Sequence, residues 1–400
     1  MKYLTAAVLG LGLVTVLPAH AQVSDGEVRI GLVSDMSGAY REVGEGAEIA
    51  ADMAIRDFGE TVRGNEIVLH VRDHQLDAER AMAHARELHE EHNVDVFLDM
   101  VGTNTAVPMQ HYARENGIIA LHTGSVSSRL TGEHCSPLGV HWMFDTYGLS
   151  AGTTAALLEE GHDTWYFVTA DYAFGESLQA DSTAVIESRG GTVLGSARHP
   201  FQAEDFSGVL LEAAASGADV IALANAGEDT ARAIRTAYEL GIPDQDQILA
   251  GLMTTEVLPQ ELGLYVAGGL RLTTGWYWNL NDETRAWAER FRERSGFFGS
   301  QFSAAVYSAV THYLEAIEAA GTDEAEAVME QMRSMPVDDV YGDGARIRAD
   351  GRLMIDMHLA RVKAPQDSSA PGDYYEILGT ISPEESFRPL EDNPCGYLDR

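Results

Sequence analysis

A chain of 400 residues with 45% apolar content is long enough to form two or three lobes with substantial cores. Its 62 acids against 27 bases leave a net charge of −35, which argues against nucleic acid and anionic membrane surfaces as partners, since both repel such a chain. Only Lys2 and Lys363 are lysines and the remaining bases are arginines; an acid-rich, lysine-poor surface suits a salty medium, and an Arg-rich codon usage explains the lysine deficit equally well.

The chain opens with Lys2, an apolar run from Leu4 to Leu17, and Ala19-His20-Ala21. A basic start, a short apolar run and an A-x-A site make a secretory signal peptide over residues 1–21, too short to span a bilayer comfortably. The mature chain is expected to start at Gln22, outside the cytoplasm, with no membrane insertion after cleavage. An oxidising compartment also invites a disulfide between the two cysteines, Cys135 and Cys395.

Strand and helix then alternate. Strands are expected over Glu27–Val33, Glu66–Val71, Val94–Met100 and Gly117–Leu121, with helices over Val43–Phe58, Asp77–His92 and Thr105–Glu115 between them. The series restarts with strands over Thr164–Thr169, Thr192–Ala197, Asp219–Leu223 and Gln247–Ala250, and helices over Gly175–Arg189, Phe206–Ser216 and Thr230–Leu240. Two βα series predict an α/β fold of two similar lobes with parallel sheets. Cys135–Gly148 reads as a crossing segment, Asp282–Ser295 and Gln301–Ala320 as helices completing the first lobe, Asp350-Gly351 as a hairpin turn between strands over Ala345–Ala349 and Leu353–Val362, and 364–400 as a loop-like tail packing on the lobes.

In such sheets ligands bind beyond the carboxyl ends of the strands, beside helix N-termini. The six turns expected there are small and polar. They contain Tyr40, the run Thr103-Asn104-Thr105, the run Thr123-Gly124-Ser125, Tyr172 with Phe174, Asn225 with Glu228, and Met253. Ordinary N-capping explains any one of them; six on matching edges of two lobes point to a shared cleft. The rings of Tyr172 and Phe174 are expected to face it, and Trp276-Tyr277-Trp278 is a further candidate wall.

The segments VRIGLVSDMSGAY, VGTNTAVPMQHYARENGIIALHTGSVSSRLTG, DTWYFVTADYAFGESL and LANAGEDTARAIRTAYELGI resemble the periplasmic solute-binding proteins of branched-chain amino-acid-type ABC importers. The resemblance runs from about Glu27 to Lys363. It implies two Rossmann-like lobes joined by three crossover segments, the type I periplasmic binding protein fold, closing on a solute by hinge bending. It implies a first lobe over 24–144 plus about 275–340 and a second over 145–274 plus about 341–363. It assigns the solute carboxylate to Thr103-Asn104-Thr105 and Thr123-Gly124-Ser125, an aromatic wall to Tyr40, and the covering ring to Tyr172 or Phe174. The expected partners are a small carboxylate-bearing solute and ABC permease subunits, with no cofactor.

One departure matters. Amino-acid binders of this family carry an acid near the position of Met253 to pair with the α-ammonium; here Glu256, Glu228 and Asp171 are the nearest candidates. An aromatic or aliphatic organic acid therefore competes with an amino acid as the solute. A ligand-sensing domain for a signalling partner and a secreted enzyme on the same scaffold are the alternative functions. Catalytic and metal motifs are wanting: Gly44-Glu45-Gly46 lacks the third glycine of a dinucleotide fingerprint, and His89-Glu90-Glu91-His92 is not H-E-x-x-H.

Overall fold

The computed structural model describes residues 23–242 and 247–398. The expected signal segment lies outside the described residues. The first lobe begins with β1 (Glu27–Ser34), α1 (Arg41–Phe58), β2 (Thr61–Val62), β3 (Asn65–Asp73), α2 (Ala78–His92), β4 (Val96–Asp99), α3 (Thr103–Asn116), β5 (Ile119–His122) and β6 (Gly139–His141). Its six-stranded sheet has the order β2-β3-β1-β4-β5-β6 and is parallel except for the β2–β3 hairpin. The inner strands β4 and β5 are buried on both faces because helices cover both. Leu32, Leu98 and Leu121 face one core, while Val33, Phe97 and Ala120 meet the α2 and α3 side.

The second lobe holds α4 (Thr146–Glu159), β7 (Thr164–Ala170), α5 (Ala173–Ser188), β8 (Thr192–His199), α6 (Ser207–Ala215), β9 (Val220–Ala224), α7 (Glu228–Glu239), β10 (Ile248–Gly251), α8 (Val257–Leu262), α9 (Leu264–Ala267) and β11 (Arg271–Thr274). A parallel sheet of order β10-β9-β7-β8 forms its centre. The chain then returns through α10 (Asp282–Ser295), α11 (Gln301–Ala320) and α12 (Ala325–Ser334). Helix α11 lies along α1 so closely that a Cβ on Gly46 would stand 2.7 Å from Ser303 Oγ, which is why α1 presents Gly46, Ala47, Ala50, Ala51 and Ala54 as its buried stripe. The chain ends with β12 (Arg346–Ile347), β13 (Leu353–Met354), β14 (Met357–Val362), β15 (Tyr375–Ile381) and α13 (Pro383–Ser386). Antiparallel β11, β14 and β15 make a small sheet against α4. Three crossings, after β6, after β11 and between β13 and β14, join the lobes.

The structure adds β2, β6, α8, α9 and α12 to the expected elements, and it keeps β12 and β13 beside β6 in the first lobe, where about 341–363 was expected in the second. Three further departures have a physical reason. Helix α4 was absent from the expected elements: it is buried on nearly every side, so its residues carry no amphipathic period. The run Leu353–Val362, expected as one strand, divides at Ile355-Asp356 because its two parts serve different sheets. The tail, expected to be loop-like, carries β15 and α13. It is anchored by the disulfide Cys135–Cys395, by Phe387 against the Arg352 guanidinium at 4.9 Å, and by Arg388 reaching Asp181 of α5 at 2.6 Å.

Candidate functional site

The carboxyl ends of both central sheets face one another across a cavity of about 240 Å³. All six turns singled out in the sequence contribute to it: Tyr40 from the turn after β1, Thr103 and Asn104 after β4, Gly124 and Ser125 after β5, Tyr172 and Phe174 after β7, Ala226 after β9, and Met253 after β10.

The first-lobe wall is made by an abrupt change of backbone direction. At the end of β4, Asp99 and Met100 take φ of 80° and 56°, left-handed values that are strained for residues with a Cβ. Gly102 follows with φ 89° and opens α3 without a side-chain cap, so the free N–H groups of that helix's first turn are left for other partners. The Thr103 and Ser125 hydroxyls stand beside this helix end. Both residues are buried, and neither oxygen has a hydrogen-bond partner among the described residues. Gly124 between them has to be glycine: a Cβ there would lie 2.6 Å from Val101 Cγ2 and from Asp99 Oδ1.

Three rings bridge the two lobes. The hydroxyls of Tyr40 and Tyr172 are 2.9 Å apart. Phe201, in the loop after β8, packs on both, with ring centroids 6.2 Å and 5.2 Å away. Burial pushes the Tyr40 phenol up to about 12 and that of Tyr172 well above its ordinary value, so both hydroxyls stay protonated and act as neutral donors and acceptors. Phe174, Val43, Leu76, Val101 and Phe302 complete an apolar enclosure. Among the described residues no carboxylate lines it.

Four candidates do not reach the cavity. Thr105 donates inward to the carbonyls of Val101 and Gly102, closing the start of α3. The Thr123 hydroxyl donates to Asp99 Oδ1 at 2.9 Å, behind the wall. Asn225 is held by His199 and Thr230 inside the second lobe. Glu228 turns outward to Arg232. In each case a nearer partner captures the side chain. Asp171 pairs with Arg198. The Glu256 carboxyl oxygens are buried and unpartnered among the described residues, outside the lining. The Trp276, Tyr277 and Trp278 side chains bond to the carbonyls of Val340 and Gly372 and stiffen the crossing; they form no part of the wall. Sequence reasoning missed Phe201 and Phe302. The first had a signal, as an aromatic just beyond a strand's carboxyl end; the second arrives from α11, on the returning chain, with none.

A family profile described as periplasmic binding protein matches residues 27–369. A periplasmic binding protein from Burkholderia mallei is 40% identical, with a TM-score of 0.90 over 93% of this chain and 99% of that one. A branched chain amino acid ABC transporter periplasmic ligand-binding protein from Burkholderia xenovorans is 31% identical, with a TM-score of 0.85 over 92% and 99%. A Rhodopseudomonas palustris ABC transporter solute binding protein, solved in complex with benzoate, shares the fold at 20% identity and a TM-score of 0.81, over 93% of this chain and 100% of that one.

Proposed function

The chain belongs to the periplasmic binding protein family, and from that premise we propose that it captures a small monocarboxylate with an apolar, aromatic-sized body and presents it to an ABC importer. The observation that carries this reading is the pair of buried, unpartnered hydroxyls of Thr103, at the start of α3, and Ser125, in the turn after β5, on two residues that line a mainly apolar cavity. Hydroxyls and free helix N–H groups are donors, and the helix end carries partial positive charge, so together they suit an anion. The rings of Tyr40, Tyr172, Phe174 and Phe201 suit a flat or bulky apolar body. A related fold holding benzoate supports the class.

Among the described residues the lining lacks an acid to meet an ammonium, which favours an organic acid over an amino acid. The amino-acid reading keeps two observations in its favour: the branched chain amino acid ABC transporter relative at 31% identity, and Asp229, which is close enough to influence both Tyr40 and Tyr172 and is buried with one oxygen unpartnered. Calorimetry of the mature chain with benzoate, phenylacetate, leucine and phenylalanine separates the two. The organic-acid reading expects one benzoate or phenylacetate bound per chain and weak or no binding of the amino acids. Tight leucine binding with no response to either aromatic acid overturns it.

A further inference from the structure

An acid stands directly behind the wall assigned above to the solute carboxylate. Asp99 is fully buried, and no ion pair among the described residues includes it. Its side-chain partners are two hydroxyls: Ser34 donates to Oδ2 at 2.5 Å and Thr123 to Oδ1 at 2.9 Å. The Gly124 N–H donates to the Asp99 carbonyl at 3.0 Å, and a Cβ on Gly124 would stand 2.6 Å from Oδ1. Since Gly124 itself lines the cavity, a single thickness of backbone separates the Asp99 carboxyl from whatever occupies it. No titratable group on the elements around it pairs with its carboxyl among the described residues, although His74 Nε2 and His122 Nδ1 are buried without a partner there. Asp35, after β1, accepts from the N–H groups of Gly38 and Tyr40. His74, after β3, accepts from the Leu76 N–H. His122 of β5 pairs with Gln110, and burial holds its imidazole neutral, down at about 3.

We propose that Asp99 is a positioning residue that couples solute capture to proton uptake: its carboxyl is protonated while a carboxylate lies against Gly124 and ionises again when the solute leaves. This rests on the carboxylate reading of the cavity. Two negative charges across one layer of backbone, with water excluded and no cation between them, repel strongly, and neutralising one of them removes the repulsion. Asp99 is the one that yields, because burial already raises it to about 6, against the lowering effect of its two hydroxyl partners. The proton comes from the buffer and goes onto a carboxyl oxygen; no bond breaks in the solute. Once protonated, Asp99 donates to Ser34 or Thr123 where it formerly accepted, so the contact that fixes the Thr123–Ser125 turn persists in both states.

The test is benzoate binding by calorimetry at pH about 5.5 and about 7.5, each in buffers of different ionisation enthalpy, with wild type and Asp99→Asn. Benzoate is ionised throughout this range, so its own titration does not enter. Expected for wild type is a Kd about tenfold weaker at the higher pH, with uptake of most of one proton per benzoate near neutrality. Asp99→Asn should flatten the pH profile and abolish the buffer dependence, which also separates Asp99 from other raised carboxyls such as Asp95, Asp229 and Glu256. A wild-type Kd that is the same at both pH values with no buffer dependence overturns the coupling while leaving the carboxylate reading intact, and needs no variant to fold. A profile unchanged in Asp99→Asn assigns the proton to another group and also overturns it. Failure of benzoate, phenylacetate and both amino acids to bind at either pH refutes the carboxylate reading, and the coupling falls with it.

Discussion

Removing the Ser125 hydroxyl separates a binding role from a structural one. Ser125 is 1% exposed and Thr103 3%, and neither side-chain oxygen has a partner among the described residues. A buried, unsatisfied hydroxyl costs the fold about 1 to 3 kcal/mol. The same hydroxyl donating to a carboxylate contributes about 1.5 to 3 kcal/mol to binding, which is about tenfold to hundredfold in Kd. Ser125→Ala and the near-isosteric Thr103→Val should therefore each weaken benzoate binding by about that factor, while the Tm of the solute-free protein stays level or rises by a few degrees. Calorimetry gives the first number and a thermal melt the second. A variant with unchanged benzoate affinity, or one whose affinity loss is matched by a fall in solute-free Tm, refutes the assignment of these hydroxyls to the solute.

Other perturbations probe the rest of the account. Tyr172→Phe removes the hydroxyl contact with Tyr40 but keeps the ring, and is expected to weaken benzoate binding about fivefold at most; Tyr172→Ala also removes apolar cover and is expected to cost about tenfold to hundredfold by calorimetry. Replacing both Cys135 and Cys395 by serine opens a loop spanning 260 residues, and a loss of about 3 to 5 kcal/mol is expected in denaturant melts, with dithiothreitol giving wild type the same loss. Burial raises Asp99 to about 6 and both Asp95 and Glu256 to about 7. These carboxyls hold protons in the folded state that the unfolded chain releases at lower pH, so their contribution to stability is present below pH about 4 and is lost as pH rises through about 7. Asp95→Asn should accordingly raise Tm at pH about 8 and leave it unchanged at pH about 4; the reverse order would contradict the burial argument.

The two lobes and the edge that carries the site were legible because parallel βα repeats dictate both. Each of the six polar turns delivers at least one residue to the cavity, yet the choice within a turn was not legible. Thr123 and Ser125 are neighbours in one turn; one hydroxyl is taken by Asp99 and the other is left for the cavity, and that division depends on a left-handed kink at Asp99-Met100 that no residue type there announces. Glu228 and Thr105 were lost to local partners in the same way. Phe302 was out of reach because its helix returns after the whole second lobe. Helix α4 was invisible for the opposite reason, since burial on nearly every side erases the periodicity that marks a surface helix.

Benzoate and benzamide, its uncharged near-isostere, compared in calorimetric titrations of the protein at pH about 6, test the carboxylate site most directly. Donors aimed at an anion predict that benzoate binds at least about a hundredfold more tightly, one per chain. Equal affinity for the two, or preference for benzamide, would contradict a carboxylate site at Thr103 and Ser125.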